Sequence, residues 1–125
     1  MITTNEVAEL FAQGFDCSQV IVSYFAEDLG IDDKTAKKMA ACFGAGMFAG
    51  ETCGAYAGAL MVIGKLMEFK QKFAEKHNSC VCKNLLDGLN PSIPEDMNVL
   101  LESGKMMSFC PQLVVDIIEV LEEIL

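Results

Sequence analysis

The stretch Gly44-Ala45-Gly46-Met47-Phe48-Ala49-Gly50-Glu51-Thr52-Cys53-Gly54-Ala55-Tyr56-Ala57-Gly58-Ala59-Leu60 decides how the chain folds. Three of the ten glycines, Gly44, Gly46 and Gly50, open it. Glycine tolerates positive φ and close approach better than any other residue, so a tightly folded loop is expected there. Thr52 reads as an N-cap, and beyond it Ala55, Ala59, Val62, Leu66, Phe69 and Phe73 recur at spacings of 4, 3, 4, 3 and 4. That is the buried stripe of one long central helix, from about residue 52 to 76. Gly54 and Gly58, with Ala55, Ala57 and Ala59, give it a small-residue face on which another helix can cross closely. Cys53 lies in its first turn, where free N–H groups and the helix dipole favour a thiolate.

Toward the N-terminus, Thr3 with Glu6 forms a capping box ahead of Val7, Leu10 and Phe11, a short packing helix ended by Gly14. Asp16 with Gln19 caps a second helix carrying Cys17, Val20, Ile21, Tyr24 and Phe25, which stops at Gly30. A third opens at Asp32 or Asp33 and puts Ala36, Met39, Ala40 and Phe43 on one face, with Lys34, Lys37 and Lys38 on the wet side and Cys42 at its end. Toward the C-terminus, Ser79 caps a short helix bearing Cys80, Cys82, Leu85 and Leu86. Pro94 opens another through Met97, Leu100 and Leu101 to Gly104. The last helix starts with Pro111 at its first position and Cys110 as cap, and Leu113, Val114, Ile117, Leu121 and Ile124 form its apolar face. No strand pattern or repeat competes. The expected fold is all-α: a compact bundle of about six to seven helices around the long central helix, one domain over residues 1–125.

Composition narrows the function. A chain of 125 residues that is 52% hydrophobic can build a real core. Nine lysines, no arginine and eighteen acidic residues give a net charge of −9, which repels phosphate backbones and anionic lipid, so nucleic acid is not an expected partner. No run of about 18 apolar residues free of charge occurs, and Glu6 and Glu9 stand where a signal peptide carries basic residues. The expectation is a cytoplasmic protein with no membrane insertion. In that reducing compartment six cysteines point to metal binding, catalysis or redox chemistry rather than to a static disulfide framework.

Four of them, Cys17, Cys53, Cys82 and Cys110, fall at or near the starts of four different helices. Such surroundings lower a thiol pKa from about 8.5 to somewhere between roughly 3.5 and 7.5, and thiolates are both nucleophiles and metal ligands. If those helix starts converge, the same four residues serve either thiol–disulfide exchange or a four-cysteine iron–sulfur or zinc site. Cys53 is expected to be the most acidic. Cys42 and Cys80 read instead as core filler, since free cysteine is among the most buried residue types. His77 has no metal-ligand partner at a suitable spacing and reads as a surface residue. The glycine loop lacks the lysine of a P-loop and follows a helix rather than a strand, so it is not a nucleotide site. No Cys-x-x-Cys motif is present.

Asp16-Cys17-Ser18-Gln19, the motif Cys53-Gly54-Ala55-x-x-Gly58 after a glycine-rich loop, Cys82 followed by Leu85-Leu86, and Cys110-x-x-Leu113-Val114 together resemble the redox-active family C_GCAxxG_C_C. The resemblance runs from Cys17 to the C-terminal helix and implies redox use of the four cysteines. Two mechanisms stay open. In one, Cys53 attacks and one or more of Cys17, Cys82 and Cys110 resolve the mixed disulfide. In the other, all four ligate an iron–sulfur cluster or zinc, while a helical interaction module with inert thiols needs neither. The partner is a redox protein or a small thiol, and a homodimer is compatible with the sequence. Cys17, Cys53, Cys82 and Cys110 are separated by 36, 29 and 28 residues, so only folding can gather them.

Overall fold

The structure, a computed structural model, describes residues 1–63 and 66–124, with backbone alone for Leu66 and Met67. Among these residues eight α-helices form: α1 (Thr4–Ala12), α2 (Cys17–Tyr24), α3 (Asp33–Ala40), α4 (Gly54–Val62), α5 (Leu66–Lys76), α6 (Cys82–Leu85), α7 (Pro94–Glu102) and α8 (Lys105–Ile124). The chain is all-α. Among the described residues the one piece of extended pairing is an isolated antiparallel bridge between Thr52 and Val81. No helix of the described residues is long and apolar enough to cross a membrane.

The local signals work as side-chain chemistry dictates. Thr3 accepts from the Glu6 amide, Asp32 from the Thr35 amide, and Asp16 with Gln19 forms a complete reciprocal box at the start of α2. Gly14, Gly30 and Gly104 take positive φ where α1, the region after α2, and α7 end.

Two helix boundaries depart from expectation. Ile63 is extended (φ −105°, ψ 137°), so the long helix over 52–76 is instead α4 and α5, separate elements on either side of it. The expected continuation through Gly64 and Lys65, and the side chain of Leu66 on the stripe, lie outside the described residues. At the C-terminus α8 starts at Lys105, six residues before Pro111, which is buried inside the helix. A proline in a helix interior removes one backbone hydrogen bond and costs roughly 3 kcal/mol. Here that loss is offset by packing, because Pro111 and eight apolar residues of α8 from Leu113 to Ile124 are buried.

The 20-residue α8 packs against α1, α2, α4, α5 and α7, so it shares the central role with α4. Its core partners include Ile21, Ala55, Tyr56, Ala59 and Phe69. Polar links fix its rotation. Thr4 donates to Gln112 (2.6 Å), Tyr24 to Glu122 (2.8 Å), and Lys72 and Lys76 pair with Glu123 and Glu119. The α2–α4 crossing is as close as the glycines allow. A Cβ on Gly58 would stand 3.1 Å from the Ser18 carbonyl oxygen and 3.2 Å from Cβ of Ile21.

Candidate functional site

The Asp16-Cys17-Ser18-Gln19 motif is a mounting bracket for one thiol. Asp16 and Gln19 cap α2, and the Gln19 side chain also donates to the Lys37 carbonyl (3.0 Å). The fully buried Ser18 hydroxyl lies 2.7 Å from both the Ala40 carbonyl oxygen and the Asp16 carboxylate. These bonds lock α2 to α3 and leave Cys17 facing α4. Its sulfur occupies the space a side chain on Gly54 would need, and the same Cβ would also strike the Phe43 carbonyl oxygen. Gly54 is therefore required beside Cys53 for Cys17 to reach it.

Cys53, rather than Thr52, is the N-cap of α4. Thr52 is committed to the bridge with Val81, flanked by hydrogen bonds from the Cys53 amide to the Cys80 carbonyl (2.7 Å) and from the Cys82 amide to the Glu51 carbonyl (2.5 Å). Side chains alternate across such a bridge, which puts Cys53 and Cys82 diagonally on one face. Cys82 begins the four-residue α6, with Val81 at the cap; Ser79, expected to cap a short helix that includes Cys80, accepts from the Val81 amide instead (3.1 Å). Cys110 lies in the second turn of α8, so the expectation that it caps a helix is wrong, because the helix begins upstream of its proline.

The glycine loop closes the site through a left-handed turn. Ala45, Gly46, Met47 and Phe48 all have φ between 49° and 62°. For the three that carry a Cβ this costs roughly 1–2 kcal/mol each, and the surroundings hold it. The Glu51 amide donates to the Gly46 carbonyl (2.9 Å), Asn90 donates to the Ala49 carbonyl (3.1 Å), and a Cβ on Gly46 would lie 2.7 Å from Cβ of Cys82. The turn presents the Ala45 amide to Cys17 and projects Phe48 over the opening.

Cys17, Cys53, Cys82 and Cys110 all line one cavity of about 330 Å³. Apart from Asp16 its other walls are apolar, with Phe11, Phe15, Phe48, Met97, Met106 and Phe109 among them. Phe11, expected only to pack, thus also shapes the site. Phe15 and Phe48 carried one local signal, a large aromatic residue in a glycine-bounded turn. All six cysteines are free thiols. Cys42 is exposed, not buried as filler, because the face of α3 near it turns outward and leaves Met39 54% exposed. Cys80 is half-buried, packs against the core and lies outside this cavity.

Electrostatics overturn the expectation of a resting thiolate. Burial is the leading cause that pushes all four thiols up: Cys17 well above its ordinary value, Cys53 upward, and Cys82 and Cys110 to about 12. Desolvation disfavours the charged form more strongly than the helix starts favour it. Cys53 alone has two helix-start amides, of Tyr56 and Ala55, opposing its burial, although neither closes a cap hydrogen bond to the thiol. At Cys17 the Ala45 amide opposes, and at Cys110 Lys105 does. Cys17, Cys82 and Cys110 each feel the charge of Cys53. Among the described residues no three His, Cys, Asp or Glu side chains are disposed to hold a single metal ion. The sulfurs surround a cavity, and no three of them are disposed to hold one ion, which does not fit a ready-made zinc site.

His77 is not a surface residue. Its side chain is 13% exposed, stacked near Phe73 and Phe109, with Nε2 buried 3.5 Å from Asp116, a partner 39 positions away that no local spacing reveals.

No curated protein and no solved structure matches the chain. A family model described as "Putative redox-active protein (C_GCAxxG_C_C)" matches residues 15–124, which takes in all four cysteines of the cavity, and the chain belongs to that family.

Proposed function

We propose that the protein is a cytoplasmic thiol redox protein that reduces a disulfide by exchange. The observation that carries this reading is that four free thiols from four separate helices line one cavity, with Cys53 as the neighbour the other three share. Cys53 is the attacking group. Cys53 is buried, and when it gives up its proton the Tyr56 and Ala55 amides favour the thiolate so formed. Attack on a disulfide R–S–S–R′ breaks that bond, forms Cys53–S–S–R and releases R′–S⁻, which takes up a proton. Cys17, placed against Gly54, then attacks the Cys53 sulfur, forms a Cys17–Cys53 disulfide and releases R–S⁻. Two thiols are oxidised and one disulfide is reduced to two thiols. Cys82 and Cys110 supply a second dithiol that can reduce the first pair by the same exchange.

The experiment is anaerobic purification with metal analysis, followed by trapping. Cys53→Ser should abolish disulfide reduction, and Cys17→Ser should accumulate the mixed disulfide on Cys53, read by mass spectrometry of peptides. Full activity in Cys53→Ser removes it as nucleophile. Stoichiometric iron with charge-transfer absorption replaces exchange by the cluster reading.

A further inference from the structure

We infer that the substrate of this cavity is an uncharged, apolar small-molecule disulfide, and that disulfides carrying carboxylates are excluded; the inference rests on the exchange reading above. Apart from the thiols, the only lining side chain among the described residues with a charge or a strong hydrogen-bonding group is Asp16. Its Oδ1 accepts the Gln19 amide (2.9 Å) and faces the Ser18 hydroxyl (2.7 Å), so it is committed to the start of α2. An anionic group entering the cavity would meet this carboxylate, lose its water and find no cation on the wall. Leaving such a charge unpaired in apolar surroundings is costly. The cation whose charge acts on Cys110 is Lys105, and it is occupied. Its Nζ lies 2.6 Å from Asp87 and 5.0 Å from the centre of the Phe109 ring. The net charge of −9 opposes anions on approach as well.

The rest of the wall favours a hydrophobic guest. Phe11 and Phe15 come from the N-terminal segment, Phe48 from the left-handed turn and Phe109 from α8, while Met97, Met106 and Met107 supply polarizable, adaptable surface. Phe48, Leu101 and Met107 line the cavity and are also 57%, 52% and 38% exposed, which marks an apolar mouth. A volume of about 330 Å³ falls at the small end of ligand pockets. An apolar disulfide would therefore be held with its sulfur atoms among the cysteines.

The test compares two aromatic disulfides with reduced Cys42→Ser/Cys80→Ser protein, which keeps the four cavity thiols. One is 4,4′-dithiodipyridine, uncharged at pH 8, and the other is 5,5′-dithiobis(2-nitrobenzoate), a dianion. Each rate is divided by its rate with the same protein unfolded, which cancels intrinsic reactivity. The folded-to-unfolded ratio should be at least tenfold larger for the uncharged reagent, and equal ratios overturn the inference. A second measurement needs no redox step: Nile red, an uncharged apolar dye, should bind the reduced protein and be displaced by 1,2-di(4-pyridyl)ethane, an uncharged analogue without a disulfide, but not by the dianion of bibenzyl-4,4′-dicarboxylic acid. That displacement without disulfide reduction by the wild-type protein upholds the ligand class and removes the exchange chemistry. If both small disulfides react slowly while a disulfide-bearing protein reacts fast, the substrate is a protein and the inference falls.

Discussion

Cys17 and Cys53 reach the cavity from a wall of helix starts and loop amides, whereas Cys82 and Cys110 reach it from a wall of apolar side chains. On the first wall backbone N–H groups oppose the effect of burial at each sulfur. On the second, burial pushes both thiols to about 12, and no backbone amide opposes it. Cys82 nominally begins a helix, yet α6 has four residues and little dipole to offer. Position in the first turn is therefore not enough to make a thiolate. Even at Cys17 the amide does not outweigh burial, so on the first wall amides oppose the effect without reversing it, and the second wall lacks them.

The amide wall depends on the α2–α4 crossing, so the largest expected effect comes from wedging it apart. Gly58→Leu should destabilise the protein by about 3 kcal/mol, on the order of 10 °C in Tm, because a side chain there meets the Ser18 backbone and Ile21. Cys17 should become more readily alkylated than Cys110 in the same variant. Calorimetry showing an unchanged Tm would mean that the crossing is loose and that the first wall is not held by its glycines.

The second test addresses the apolar wall through pH. Cys82 and Cys110 ionise near 12 when folded and near 9.0 in their ordinary state, so between those values the folded protein retains protons that the unfolded chain has lost. Stability of the reduced protein is then full below about pH 9 and falls as pH rises toward 12. Denaturant titrations at stepped pH should give a shallower fall in Cys110→Ser than in the wild type. Identical slopes would mean that Cys110 is wetter than its position implies.

The first wall was the more legible in sequence, for a physical reason. Asp16, Gln19, Gly54 and Gly58 act within one or two helical turns of the residues they serve, so their signals are local. The start of α8 was not legible, because Pro111 suits a first helical position and only burial among distant apolar residues lets it sit inside a helix. The break at Ile63 was hidden because the apolar spacing continues evenly across it. The protonation of the thiols is hidden for the same kind of reason: helix starts can be read from spacing, whereas the depth of a cavity assembled from α1, α2, the glycine loop, the start of α4, α6, α7 and α8 cannot.

The left-handed turn, which meets Cys17 through the Ala45 amide and Cys82 through Gly46, offers a smaller effect. Met47 has φ 61° but is 54% exposed and outside the cavity, so Met47→Gly should relieve strain without touching a thiol. A gain of about 1 kcal/mol is expected once the flexibility of glycine in the unfolded chain is set against the relief. Unchanged or lower stability by denaturant titration would show that the turn is held at little cost.

The smallest expected change is in Cys42→Ser, and it calibrates both walls. Cys42 is exposed and makes no part of the cavity, so its replacement should alter stability by no more than about 0.5 kcal/mol. Its thiol is nevertheless open to reagents, unlike those of Cys17, Cys53, Cys82 and Cys110, which are buried or half-buried. Iodoacetamide at pH 8 should therefore label the reduced wild-type protein in a fast phase from Cys42, an intermediate one from half-buried Cys80, and a slow remainder. In Cys42→Ser the fast phase should vanish while the slow one is unchanged. A fast phase that survives would have to come from a cavity thiol, and peptide mapping would identify it. If it mapped to Cys53, the amides of Ala55 and Tyr56 would outweigh burial after all, and the two walls would differ more sharply. If it mapped to Cys82 or Cys110, the apolar wall would be open to water, and the contrast would disappear.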